Sequence, residues 1–213
     1  VKEVIKYGLG RESILGLGPT LVYCFWHSND LIRNNDLQIS FTPASYAGGR
    51  QAQLDRLPGF SIASWVQRPE SSGWVKIKSR DPFVSPRIQP NYLKASEDQR
   101  ITIQGIRMSR RLMNSNELSP YFDHEVYPGK EIQSDEELLN IARERSNTAY
   151  HLVGSCRMAP ENDKTSVVDS ELKVRGFDNL RVVDASIMPM IPSANVNAAV
   201  LAIAEKAASK ILG

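Results

Sequence analysis

The 213-residue chain predicts an α+β fold, a largely antiparallel or mixed sheet backed by helices. Three observations carry the prediction. Segments of alternating or continuous apolarity cluster between residues 20 and 80, capped helical segments follow near 96–113 and 134–145, and an apolar helix closes the chain.

Taken in order, Gly8, Gly10, Gly16 and Gly18 fit loops, and Leu21-Val22-Tyr23-Cys24-Phe25-Trp26 fits a buried strand. Residues 38–44 alternate, with Ile39 and Phe41 on one face, and residues 46–58 form a polar, glycine-containing loop. Residues 60–67 and 74–78 fit two further strands, joined as a hairpin across Ser71-Ser72-Gly73, so all three alternating stretches share one sheet. Pro82, Pro86 and Pro90 exclude regular structure from the segment that holds them.

Ser96-Glu97-Asp98-Gln99 reads as a capping box for a helix to about Met113, packed on the sheet through Ile103, Ile106 and Met113. Ser134-Asp135-Glu136-Glu137 opens a second helix bearing Leu138, Leu139, Ile141 and Ala142. Residues 180–183 fit a short strand ending at Asp184. The last segment sets Val196, Val200, Ile203, Ala204, Ala207 and Ile211 at helical spacing, with one face inward.

A composition of 41% hydrophobic and 23% charged residues belongs to a globular domain, and a formal charge of +2 gives no electrostatic footprint for nucleic acid. Arg107, Arg110 and Arg111 fit a solvated helix face. Cys24 and Cys156 have no metal-ligand spacing; free thiols are the expectation, with a disulfide as the alternative. No apolar run reaches the roughly 20 residues of a membrane span. The start at Val1, without Met or a signal-peptide profile, reads as the interior of a longer protein, with a cytoplasmic location favoured.

Three histidines are candidates for chemistry. His27 follows the apolar strand and His124 stands in an acidic stretch, so both read as structural. His151 lies between Tyr150 and Leu152-Val153-Gly154-Ser155-Cys156, where small residues would admit a flat ligand close to backbone. Taken alone, the packed imidazole is the stronger reading of the two.

The tail as a whole resembles the C-terminal part of the glucose-methanol-choline (GMC) oxidoreductases, in a choline or alcohol dehydrogenase-like branch. The resemblance rests on His151 ahead of Gly154-Ser155-Cys156-Arg157-Met158, then Ser166-Val167-Val168-Asp169, Leu172-Lys173-Val174-Arg175-Gly176, Asp184-Ala185-Ser186 and Asn195-Val196-Asn197. Upstream, Arg68-Pro69-Glu70-Ser71-Ser72-Gly73, Asp81-Pro82, Pro86-Arg87-Ile88 and Asn91-Tyr92-Leu93 fit the same pattern.

The resemblance implies a small-molecule alcohol as substrate and FAD as cofactor, with no metal. It makes His151 the general base that takes the alcohol proton while hydride passes to the flavin. Asn195 would hold the substrate oxygen; its other reading is a helix N-cap. The amides of Val196 and Asn197 at the helix start would face the flavin edge that becomes negative on reduction. Asp184 and Ala185 would line the cofactor, Asp184 being otherwise a turn residue. Apart from the resemblance, Tyr150, Tyr23, Phe25, Trp26 and Trp65 could line an aromatic substrate pocket, although core packing is the commoner place for such side chains.

The Gly-x-Gly-x-x-Gly fingerprint of the family's FAD-binding half does not occur in the sequence. The expectation is therefore a C-terminal piece: a substrate-binding domain at 1–149, and at 150–213 the histidine segment with the last elements of an FAD domain. Its partner would be the missing N-terminal half, without which it would be inactive. The alternatives are a cofactor-free interaction domain on the same scaffold, or a lyase of the same family.

Overall fold

The computed structural model describes residues 1–18, 20–31, 33–47 and 53–213. It divides into two compact units, Val1–Val66 with Arg100–Ser146, and Gln67–Gln99 with Asn147–Gly213.

In the first unit, α1 (Lys2–Gly8) takes up glycine-bearing sequence expected to be loop. Strands β1 (Val22–Trp26), β2 (Leu37–Thr42) and β3 (Ser61–Val66) form an antiparallel sheet in that order, Cys24 opposite Ile39 and Ile39 opposite Ser64. β2 is central and almost wholly buried. β1, expected to be buried, is an edge: Val22, Tyr23, Phe25 and Trp26 are exposed. An apolar run alone does not say whether a strand has one neighbour or two. Of the loop expected over 46–58, residues 48–52 lie outside the described residues, and Tyr46 bridges Leu54.

Helix α2 (Ser96–Met113) packs on this sheet through Ile101, which joins Leu37 and Ile39 in the core, and through Met108 and Leu112. Residues 101, 105, 108 and 112 make one helical stripe. Ile103 and Met113 are also buried, as expected, while Ile106 is half-buried. Gly105 lets the helix approach closely, since a Cβ there would stand 2.9 Å from Ser64 Cβ and 3.0 Å from Leu37 Cδ1.

Helix α3 (Asp135–Arg145) begins as the sequence predicts. Ser134 Oγ accepts from Glu137 N, Ser134 N donates to Glu137 Oε2 at 2.9 Å, and Leu138 and Ala142 are buried. The arginine cluster on α2 is not uniformly solvated. Arg110 donates to Glu125 through two nitrogens and to the carbonyls of Gly129 and Ile132, and Arg107 pairs with Asp135 at 2.5 Å. Only Arg111 behaves as expected.

In the second unit, β4 (Trp74–Lys76) and β5 (Arg87–Gln89) make a separate two-stranded antiparallel ribbon, Val75 opposite Ile88. This corrects the expectation that 74–78 pairs with 60–67 across Ser71-Ser72-Gly73. That connection is diverted: buried Asp98 accepts from the Glu70 and Ser71 amides at 2.8 and 2.9 Å, and Ser71 Oγ accepts from the Lys94 and Ala95 amides. Gly73 meanwhile lies against the Gln89 carbonyl, where a Cβ would collide. Pro86 and Pro90 bracket β5 rather than abolish it, since neither has to donate from within the ladder.

The tail packs around buried Val168, Leu172, Ile187 and Ala207, with Met158, Val167, Val174, Val182, Val183 and Ile203 against them. Residues 180–183 form no strand; the Lys173–Arg181 bridge is their only ladder contact among the described residues. Helix α4 (Asn197–Leu212) buries Ala207 and half-buries Val200 and Ile203, but Ala204 and Ile211, expected to face inward, are exposed. The polypeptide is thus mixed α+β with small antiparallel sheets, as predicted.

Candidate functional site

His151, Asp184, Ala185, Asn195, Val196 and Asn197 all belong to the second unit. The histidine segment is fixed to the Asp184 turn by backbone: Cys156 N donates to the Ser186 carbonyl at 3.0 Å, and Met158 N to the Ile187 carbonyl at 2.8 Å. Gly154 has φ +87°, and a Cβ there would touch the Met188 carbonyl at 3.5 Å, so the chain turns against that same loop. Ile187 and Ala207 share one core, which ties the Asp184 turn to α4. The three motif segments are therefore neighbours through packing and not only through sequence order.

His151 is half-buried in non-regular chain, and its imidazole has no hydrogen-bond partner among the described residues. An imidazole with a free nitrogen can take up a proton from a ligand placed against it. Tyr150 before it has φ +58°, unusual for a bulky residue, and is 78% exposed. Its amide donates to Thr148 Oγ1 at 3.0 Å, and Thr148 Oγ1 also accepts from the Tyr92 hydroxyl at 2.7 Å.

Asp184 fulfils its turn role: it caps the 3-10 turn Ala185–Ile187, accepting from the Ser186 amide at 2.8 Å and from the Ser186 hydroxyl. The helix-cap reading of Asn195 is corrected. The N-cap position of α4 falls on Val196, with no side-chain cap. Val200 N to the Val196 carbonyl, 2.9 Å, is the first rung, so the amides of Asn197, Ala198 and Ala199 have no intrahelical acceptor. Such a helix start carries partial positive charge and suits an anionic or electron-rich edge. It fits the flavin that the family resemblance implies.

Sequence reasoning gave no role to Arg68, although the motif contains it. Its guanidinium donates to Ser193 Oγ, in the loop leading to Asn195. A partner 125 positions away leaves no local signal.

Two other expectations have opposite outcomes, the first corrected and the second met. Tyr23 and Phe25 project from the opposite face of β1 to Trp26, so those three cannot line one pocket wall. Cys24 and Cys156 are free thiols. Among the described residues no cluster of ligating side chains could hold a metal, and no helix is long and apolar enough to cross a membrane.

A Staphylococcus saprophyticus protein named oxygen-dependent choline dehydrogenase is 40% identical over 192 residues, 89% of this chain and 34% of its own length. The mitochondrial choline dehydrogenase of Mus musculus is 38% identical over 191 residues, covering 89% of this chain and 32% of its own. Among solved structures, pyridoxine 4-oxidase from Mesorbium loti superposes with TM-score 0.81 and 28% identity, over 91% of this chain and 38% of that one. The formate oxidase of Aspergillus oryzae RIB40 gives TM-score 0.85 and 25% identity, over 99% and 41%. The chain spans about a third of the length of the curated relatives it matches. These relatives are oxidoreductases. The sequence profile described as GMC oxidoreductase matches residues 69–204, and the chain belongs to that family.

Proposed function

We propose that this chain supplies the proton-accepting and alcohol-holding part of an FAD-dependent oxidoreductase acting on a primary or secondary alcohol. GMC oxidoreductases are FAD-dependent, and relatives named choline dehydrogenase support an alcohol donor. The observation that carries the reading is the start of α4, whose first amides have no intrahelical acceptor, directly after Asn195 and in the same packed unit as an imidazole without a partner.

The chemistry FAD supplies when bound is acceptance of hydride from the carbinol carbon. His151 would take the hydroxyl proton, raising electron density on oxygen and weakening the adjacent C–H bond. Asn195 would hold that oxygen through its amide without titrating. The amides at Val196 and Asn197 would stand opposite charge that develops only as reaction proceeds, which favours the transition state over the bound alcohol. Asp184 and Ala185 would form the wall beside the cofactor, and Tyr150 part of the substrate side.

In this reading residues 1–149 are the substrate-binding portion and 150–213 the histidine segment with the closing elements of an FAD domain. The Gly-x-Gly-x-x-Gly element would come from an N-terminal half, so the 213-residue chain alone would not retain FAD stoichiometrically. The test is His151→Ala in the full-length protein, followed by stopped-flow. Flavin reduction should slow by about 10²-fold or more with FAD still bound. Unchanged reduction kinetics would remove His151 from the mechanism.

A further inference from the structure

We propose that Tyr92 is a positioning residue for His151, acting through Thr148 and the Tyr150 amide. The inference rests on the oxidoreductase reading above and adds a residue to which that reading gives no role. Tyr92, Thr148, Tyr150 and His151 all lie in the second unit.

His151 follows a residue in left-handed backbone, Tyr150 at φ +58°. Bulky residues rarely adopt that conformation, so whatever holds it also directs the side chain that comes next. The Tyr150 amide donates to Thr148 Oγ1 at 3.0 Å, a two-residue hydroxyl turn that is weak by itself. The Tyr92 hydroxyl donates to the same oxygen at 2.7 Å. A hydroxyl oxygen has two acceptor positions, and both are taken here, which keeps the Thr148 side chain turned toward the Tyr150 amide.

A strut can position its neighbour only if its own base is rigid. Tyr92 stands between Asn91 and Leu93, both left-handed, at φ +57° and +56°. Asn91 Nδ2 donates to the Ser72 carbonyl at 2.9 Å, Gln99 Nε2 to the Leu93 carbonyl at 2.8 Å, and Lys94 N to Ser71 Oγ at 3.0 Å. The Ser71 amide is held in turn by the buried carboxylate of Asp98 at 2.9 Å. Strained backbone persists only where its surroundings over-determine it, and the side chain presented by this strained pair is Tyr92. Its ring is 55% exposed, so its hydroxyl, rather than burial of the ring, joins it to the histidine segment.

The test compares stopped-flow flavin reduction in full-length Tyr92→Phe, His151→Ala and the double variant across a range of alcohol concentrations. Tyr92→Phe deletes only the donor. It should lower the limiting reduction rate about fivefold, the scale of one neutral hydrogen bond, with alcohol Kd and FAD content unchanged. In the His151→Ala background the same change should have no further effect, because Tyr92 acts only through that imidazole. Thr148→Val should slow reduction at least as much as Tyr92→Phe, and Thr148→Ser, which restores the hydroxyl, should recover most of that loss. Tyr121→Phe, in the first unit, should reduce flavin at the parent rate. Multiplying effects in the double variant, or a Tyr92→Phe rate equal to the parent's while His151→Ala is slow, would overturn the positioning role and leave the general base standing. A His151→Ala rate equal to the parent's would remove the base itself, and this inference with it.

Discussion

Arg68 donates from Nη1 to the Ser193 hydroxyl, joining the start of the second unit to the loop that carries Asn195. A charge-assisted hydrogen bond of this kind fixes position more than it adds stability at a part-exposed site. In the proposed mechanism Arg68 therefore acts as a positioning residue. Arg68→Ala in the full-length enzyme should lower kcat by about tenfold with FAD content unchanged, and Arg68→Lys should recover part of the loss. A larger effect on thermal stability than on kcat would instead make the contact merely structural.

A second prediction concerns the helix–sheet contact. Alanine exceeds glycine in helix propensity by about 1 kcal/mol, so Gly105→Ala would ordinarily stabilise α2. Here the added Cβ would stand 2.5 Å from Ser64 Oγ and 2.9 Å from its Cβ, and overpacking costs about 1–3 kcal/mol. The clash outweighs the propensity. Gly105→Ala should lower the urea midpoint, and Ser64→Gly in the same chain should give back part of the loss. Additive single-mutant effects would show that the two sites do not touch.

That contact also marks the limit of what the sequence discloses. Ser134 and Glu137 cap α3 as expected because both partners lie within one turn, and the three-residue spacing is itself the signal. The α2 stripe centred on Gly105 contains a residue without a side chain, so a count of apolar positions passes over it. The pairing of β4 was misread for another reason: Asp98, 28 positions beyond Glu70, determines where the connecting segment goes. In the site, the order of His151, Asp184 and Asn195 was legible, whereas Arg68–Ser193 and the uncapped Val196 depend on the folded chain.

Acid should act on the tail through Asp169. Its carboxyl is held below the usual range chiefly by the Lys173 amide; burial opposes this as the next-largest effect, and the Glu171 amide and the charges of Lys173 and Arg175 lower it further. A depressed carboxyl stabilises the fold above its unfolded value, about 3.9, and that contribution disappears as pH falls through the lower, folded value. Asp163 and Glu171 are lowered in the same sense. Stability should hold from neutral pH to about 5 and decline below about 4. Asp169→Asn should therefore cost more at pH 7 than near pH 3, by urea midpoints; equal costs at both would contradict the linkage.

The last prediction separates backbone from side chain at Tyr150. Left-handed backbone costs a non-glycine residue about 1–2 kcal/mol, and an exposed phenol recovers little of that by burial. Thr148 holds the conformation by accepting from both the Tyr150 amide and the Tyr92 hydroxyl. In the proposed mechanism this turn aims His151, the next residue. Asparagine tolerates left-handed backbone, whereas a β-branched side chain does not. Tyr150→Asn should thus keep stability within about 1 kcal/mol of the parent and slow flavin reduction less than tenfold. Tyr150→Val should destabilise by about 1–2 kcal/mol and slow reduction further, because the turn itself is disturbed. If Tyr150→Asn slowed reduction as severely as His151→Ala, the phenol would do more than line the substrate side, and the backbone account would fail.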